Sequence, residues 1–263
     1  MSRRTHVPIR ALHLQSILRI GLPGALVLLF LAGCVGPQTS DGILDPFEAK
    51  NRRVHAMNVA IDKSLVRPAS NVYGNGIPQP VRRGVGNFAS NLGLPSKIVN
   101  NLLQFDLDGA VRNTFRFAFN STIGLGGLLD PATEMGLIQE DTDFGETLYV
   151  WGVKEGNYVE LPLIGPSTER HLVGRVVDLF TNPLSYVVPS PENYIGTATT
   201  LLSKVGDRYE YSSAVDSILY ESEDSYSQAR LIYLQNRRFE LGVEVSDAEA
   251  DEIDALFEEL YGD

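Results

Sequence analysis

The sequence predicts a mainly α-helical single domain with one hairpin-like loop. Two observations carry that expectation. Capping signals are repeatedly followed by apolar residues at steps of three and four. Aromatic and β-branched residues concentrate instead in one stretch, Thr147 to Leu163, interrupted by Gly152 and Gly156. The chain has 263 residues, 43% of them hydrophobic and 21% charged, the balance of an ordinary globular protein and not of a disordered one. That length can bury a core without covalent staples, and with one cysteine no internal disulfide is available. A net charge of -11 speaks against nucleic acid as a partner. The several apolar runs of about 20 residues that a polytopic membrane protein needs are missing.

Residues 1–33 differ in kind from the rest. Arg3, Arg4, Arg10 and Arg19 precede a 14-residue uncharged stretch, Ile20 to Gly33, that ends in small residues, the layout of a secretory signal. The alternative, an uncleaved anchor, would need about 20 residues to span a bilayer. Arg3-Arg4 lacks the continuation of a twin-arginine signal. The stretch closes on Leu31-Ala32-Gly33-Cys34, which resembles the bacterial lipobox, and Cys34 is the sole cysteine. The resemblance implies cleavage before Cys34, a diacylglyceryl thioether on its sulfur and acylation of the new amine. Several acyl chains together hold a soluble domain on a membrane where one does so only marginally. The mature chain keeps 18 basic and 33 acidic residues, a charge of -15, so bulk attraction to anionic lipid is not expected. Residues 34–44, with Gly36, Pro37 and Ser40, read as a lipidated tether.

The folded domain is expected over residues 45–245. Asp45-Pro46-Phe47-Glu48 reads as an N-cap, a first-turn proline and a capping-box glutamate, followed by Val54, Met57 and Ile61 on one face. A break is expected at Arg67-Pro68. Pro78 and Pro80 introduce a helix with Val81, Val85, Phe88 and Leu92, and Pro95 is expected to open another with Ile98, Val99, Leu102 and Leu103. From Val111 to Leu129 apolar residues cover more than one face. A core helix ending at the Gly124–Gly127 turn and a helix seated in the inner half of a bilayer are both open readings. Thr147–Trp151 and Tyr158–Leu163 are expected to form a hairpin. Pro166-Ser167-Thr168-Glu169 starts a helix that Asn182-Pro183 stops, and two or three more follow between Asn193 and Arg238. Ser246 and Glu249 cap an acidic amphipathic helix over residues 246–263.

Enzyme chemistry finds little support. His55 and His171 lack metal-ligand spacing, and there is no cysteine cluster for zinc. Gly165-Pro166-Ser167-Thr168-Glu169 is not a nucleophile elbow, and Gly124-Leu125-Gly126-Gly127 lacks the last glycine of a dinucleotide fingerprint. Asp141 and Asp143 are the plainest carboxylate pair for acid–base work. No cofactor is implied, and the expectation is that the protein is not an enzyme.

Taken in order, a further set of residues resembles the MlaA (VacJ) lipoproteins. It begins with Asp45-Pro46-Phe47-Glu48, Asn51-Arg52, Arg67-Pro68, Tyr73 and Pro78-Gln79-Pro80, and continues through Arg82, Gly84, Asn87, Phe88, Asn91, Leu92, Pro95, Val99, Asn100 and Leu103-Gln104. Arg116-Phe117, Asn120, Gly124, Gly126-Gly127, Asp130, Phe144-Gly145, Gly152, Gly156, Tyr158, Leu161-Pro162, Gly165, Thr168 and Arg170 extend it. The resemblance implies a ring-like helical lipoprotein embedded in the inner leaflet of the outer membrane. Such a protein removes mislocalised phospholipid from the outer leaflet through a polar channel, alongside a trimeric porin, and passes it to a soluble periplasmic phospholipid carrier, maintaining lipid asymmetry. It further implies that the Phe144–Arg170 loop is a gate, with Gly152 and Gly156 giving mobility and Tyr158 a membrane-interface side chain. Arg116 and Arg170 are candidates either to meet the lipid phosphate or to serve as structural ion-pair partners. Lys50 stands where the family usually has an aromatic residue, and His171 where aspartate is usual. A lipoprotein scaffolding a porin or envelope complex, and an envelope esterase, are the alternative readings.

Overall fold

The computed structural model describes residues 45–189 and 193–243, so Cys34, the tether and the acidic 246–263 segment lie outside the described residues. The architecture is helical with one two-stranded sheet, as the sequence predicts. Helix α1 (Glu48–Ile61) runs through a π-helical turn (Asp62–Val66) straight into α2 (Arg67–Gly76). The expected break at Arg67-Pro68 is therefore absent. Pro68 cannot donate a backbone hydrogen bond, and the wider turn just before it absorbs the mismatch without ending the helix.

Helix α3 (Gln79–Leu103) starts at Pro78 as expected, but Pro95 lies inside it and opens no new helix. The neighbouring Leu94 is fully buried, and that packing holds the helix through the proline. Helix α4 (Leu107–Thr122) follows, its N-terminus capped by Asp106, whose carboxylate accepts from Gly109 N. A short α5 (Pro131–Glu134) is capped by Asp130 and α6 (Phe144–Val150) by Asp143.

Of the two expected strands, Tyr158–Leu163 is borne out and Thr147–Trp151 is not. Thr147–Val150 belongs to α6, and the pair is β1 (Tyr158–Leu161) with β2 (Gly165–Thr168), antiparallel, Tyr158 opposite Thr168. Gly152 takes φ +84° and closes a Schellman turn, Val153 N donating to Leu148 O and Gly152 N to Tyr149 O. The β-branched character of the segment loses to a capped helix start and this glycine stop. Pro166–Thr168 is thus strand. Thr168 is the N-cap of α7 (Glu169–Thr181), which ends before Asn182-Pro183 as expected.

Helices α8 (Leu184–Val187), α9 (Asn193–Glu210), α10 (Ser212–Asp216) and α11 (Ser225–Glu240) complete the described chain. Helix α3 packs on α4, α9 lies against α2 and α3, and α6 packs on α7. The α6–α7 crossing brings Gly145 against Gly174 so closely that a Cβ on Gly174 would collide with the Gly145 backbone.

Asp45 does not cap α1. Its buried carboxylate accepts from Asn51 Nδ2 at 2.8 Å, from the Tyr226 hydroxyl and from Arg230 Nη1 at 2.6 Å, tying the start of the domain to α11. Tyr226, Tyr233 and Leu234 of α11 pack around Tyr158, the apolar centre of this half of the domain.

Candidate functional site

Helix α4 is built inside out. Phe115, Val111 and Leu107 on its outer face are exposed, as are Ile123, Leu125, Leu128 and Leu129 in the turn beyond it. Asn113, Arg116 and Asn120 on its inner face are buried. Val111–Leu129 is thus a helix packed on α3 that ends at the Gly124–Gly127 turn, as one of the two open readings has it, but it buries its polar face and leaves most of its apolar side chains exposed. A chain folded for water alone would bury the apolar face and wet the polar one.

The inner face is held by hydrogen bonds. Asn113 donates to Asn101 Oδ1 and to Glu140 O, both at 2.9 Å, and accepts from Glu140 N. Arg116 pairs with Asp130 at 2.9 Å and also donates to Thr133 Oγ1 and Leu137 O. Burial pushes the Asp130 carboxyl up, but hydrogen bonds from Thr133, Asn120 and Arg116 outweigh it and hold its pKa below the usual value. Deeper in, Asn100 donates to Asp178 and Gln104 to Thr142 and Thr147. Burial raises the Asp178 carboxyl. This interior coheres through polar contacts that are costly to break, although Arg116 Nε is buried with no hydrogen-bond partner among the described residues.

The predicted gate region contains α6, the Gly152–Asn157 turn and the hairpin. Arg170 is buried, donates to Val153 O at 3.1 Å and lies 5.0 Å from the centre of the Tyr149 ring. Burial lowers its pKa. With Tyr149, Gly152 and Lys154 it lines a cavity of about 340 Å³ that α11 closes from the other side. Gly156 has φ +74°, and a Cβ there would stand 2.6 Å from Glu169 Oε2, so it is required by a close approach. Tyr158 is buried, its hydroxyl donating to Glu160 Oε2 and its ring edge-on to Tyr226, so it presents nothing to a membrane interface. Arg116 and Arg170 thus stand apart, one in the α4 network and one beside the turn.

The two residues that depart from the family pattern are accommodated differently. Lys50 is exposed. His171 stacks on Tyr233 and accepts from Arg175 Nε at 3.1 Å. Asp143 caps α6 and binds Arg237 at 2.7 Å, while Asp141 pairs with Lys97, so the two carboxylates are not a catalytic pair. Sequence reading missed one arrangement. His55 Nε2 lies 3.1 Å from Ser225 Oγ, and its Nδ1 lies 3.4 Å from Glu160 Oε1, across separations of 170 and 105 residues that no local pattern signals. Among the described residues no His/Cys/Asp/Glu group could hold a metal, and no helix is long and apolar enough to cross a membrane.

Residues 43–240 match the family model described as MlaA lipoprotein. The intermembrane phospholipid transport system lipoprotein MlaA of Escherichia coli is 33% identical over 220 residues, 82% of this chain and 86% of that protein. Its Haemophilus influenzae counterpart is 30% identical over 230 residues, 84% and 89% of the two chains. An uncharacterized protein of Rickettsia felis is 35% identical over 189 residues, 72% and 74% of the two chains. A solved chain from work on the structural basis for maintenance of bacterial outer membrane lipid asymmetry superposes with a TM-score of 0.62 at 28% identity, covering 75% of this chain and 98% of that one.

Proposed function

The chain belongs to the MlaA lipoprotein family, and from that premise we propose that it removes mislocalised phospholipid from the outer leaflet of the outer membrane and so maintains lipid asymmetry. Residues 1–33 are the signal, Cys34 is lipidated, residues 34–44 tether the domain, and residues 45–245 sit in the inner leaflet from the periplasmic side. The lipid follows a polar channel in a ring-like body, alongside a trimeric porin, and leaves on a soluble periplasmic carrier.

The observation that carries membrane seating is α4 with the turn beyond it: seven apolar side chains from Leu107 to Leu129 are exposed, while Asn113, Arg116 and Asn120 are buried. Apolar surface on that scale favours lipid at roughly 25 cal/mol per Å². A phospholipid headgroup cannot cross hydrocarbon cheaply and needs a polar route. Passive conduction along such a route needs no nucleotide and no bond breaking. The Gly152 turn, with Arg170 beside it, is the proposed gate. Deleting the gene should raise outer-leaflet phospholipid and detergent sensitivity, and the wild-type gene should restore both. Unchanged surface phospholipid in the deletion strain would reduce the protein to a scaffold.

One observation favours a second reading, an envelope esterase. Ser225, His55 and Glu160 stand in the order of an acyl-transfer relay, and an apolar-walled cavity of about 290 Å³ adjoins His55 and Glu160. Ester hydrolysis by the purified protein that disappears in Ser225→Ala would establish it. Equal surface-lipid clearance by Ser225→Ala and wild type, without hydrolysis by either, would retire it.

A further inference from the structure

A third cleft, about 200 Å³, lies between the first half of α3 and the last half of α9. It exists because small residues stand where the two helices meet. A Cβ on Gly86 would find only Ser203 Oγ, at 3.7 Å, and one on Gly206 would lie 3.3 Å from Tyr73 Cε1. Arg82 and Arg83 line it from α3, Asp207 and Glu210 from α9, and Tyr73 from α2.

Two of these groups are uncommitted. The Tyr73 hydroxyl is buried without a hydrogen-bond partner among the described residues, an arrangement that is destabilising unless something else meets it. Arg83 is exposed, and no hydrogen bond or ion pair holds it among the described residues. Arg82, in contrast, is fixed as part of the wall: it donates to Gly74 O and Ile77 O and lies 5.0 Å from the centre of the Tyr209 ring. The carboxylates are loosely engaged. Among the described residues Asp207 reaches Lys204 alone, at 3.9 Å, and Glu210 reaches Arg82 alone, at 3.8 Å.

Two guanidinium groups, two carboxylates and a free hydroxyl around one cleft match a ligand that is itself a neutral zwitterion. A net anion would gain from Arg83 and lose against Asp207 and Glu210. We propose that this cleft recognises a phosphodiester bearing a primary amine, with the phosphate on Arg83 and the Tyr73 hydroxyl and the ammonium between Asp207 and Glu210. The assignment rests on the transport reading above and adds to it the headgroup class, an aminophospholipid. The same chemistry occurs in soluble glycerophosphoethanolamine, so the two sources are separated by experiment.

The full lipidated chain is placed in nanodiscs holding equal phosphatidylethanolamine and phosphatidylglycerol, and the retained lipid is counted by native mass spectrometry. Wild type should retain the ethanolamine lipid in preference. Arg83→Glu, at an exposed residue without partners, should weaken that retention by roughly tenfold, the size of one charge-assisted hydrogen bond. Gly86→Leu should abolish the preference while leaving α3 intact, because leucine is the better helix former. Retained lipid in the nanodisc ratio, or an unchanged preference in both variants, would overturn the proposal. Glycerophosphoethanolamine should compete only weakly; binding tighter than the lipid would assign the cleft to the soluble compound and overturn the lipid source. A deletion strain with unchanged surface phospholipid, beside an intact ethanolamine preference in vitro, would sink the transport reading and leave the cleft. Clearance of surface phospholipid with no headgroup preference would do the reverse.

Discussion

His171 and Arg175, one turn apart on α7, are joined with the imidazole as acceptor: Arg175 Nε donates to His171 Nε2 at 3.1 Å. That fixes the neutral ring with its proton on Nδ1, which then donates to the Tyr233 hydroxyl at 2.7 Å. Burial first, and then the cationic Arg175 and Arg237, outweigh Asp143 and bring the His171 pKa down to about 4.

The direction of the pH dependence follows. Unfolded, His171 takes up a proton near its ordinary value of about 6.5, whereas the folded protein resists until about 4. Its contribution to stability is whole above pH about 6.5 and is lost as pH falls from there toward about 4. Denaturant midpoints measured across that window should decline in the wild type and decline less in His171→Gln. Identical slopes would mean that other groups carry the effect.

Within α4, polarity should matter in the reverse of the usual sense. Asn113→Leu strands Asn101 Oδ1 and the Glu140 backbone groups and should cost about 3 kcal/mol or more. Val111→Ser, on the exposed face, should shift unfolding in detergent by no more than about 0.5 kcal/mol. In cells the ranking changes: Phe115→Asp should fold yet seat poorly in the membrane, read as protein released by carbonate washing.

Arg116→Met should lower stability by about 3 kcal/mol, because Asp130 keeps a charge whose partner is gone. The double variant Arg116→Met, Asp130→Asn should recover part of that loss. Chemical denaturation of the four proteins provides the cycle. A phosphate-binding role would instead predict a transport defect larger than the stability change.

The two glycines of the proposed gate should differ. Gly152→Ala meets no atom within 4 Å and pays only for its positive φ, about 1 kcal/mol. Gly156→Ala also displaces Glu169 from Asn157, which its carboxylate holds at 3.1 Å through both backbone and side chain, and should destabilise more. Thermal unfolding ranks them, and transport per folded molecule tells whether the turn moves.

Cys34→Ala should leave an unprocessed or mislocalised precursor. Normal maturation and partitioning of that variant would remove the lipoprotein assignment, whatever the fold does.

Helix starts and stops were legible wherever a local group satisfies them. Pro78, Thr168 and Asn182-Pro183 act within a few residues of their place in the chain. The Gly152 stop was equally local and was overlooked because a run of Thr, Leu, Tyr and Val resembles a strand. Pro95 misled for the opposite reason: its local rule is real, but burial around Leu94 outweighs it. Of the candidate site, Cys34, Gly152, Gly156 and Arg170 were visible as residues, whereas the role of Tyr158 was not, since its burial depends on Tyr226 and Tyr233 far along the chain.

By itself the sequence determined the helical class, most helix boundaries and the family, because capping, periodicity and ordered motifs are local or cumulative. Only the tertiary structure decided which side of α4 faces inward, since a hydrophobic stripe has the same period whether it meets a core or a lipid. It also decided the long-range partners, such as Asp45 with Arg230 and Ser225 with His55, which no spacing encodes. The cleft between α3 and α9 belongs with these: Gly86 and Gly206 are unremarkable in sequence, and line a common cleft only once the two helices pack.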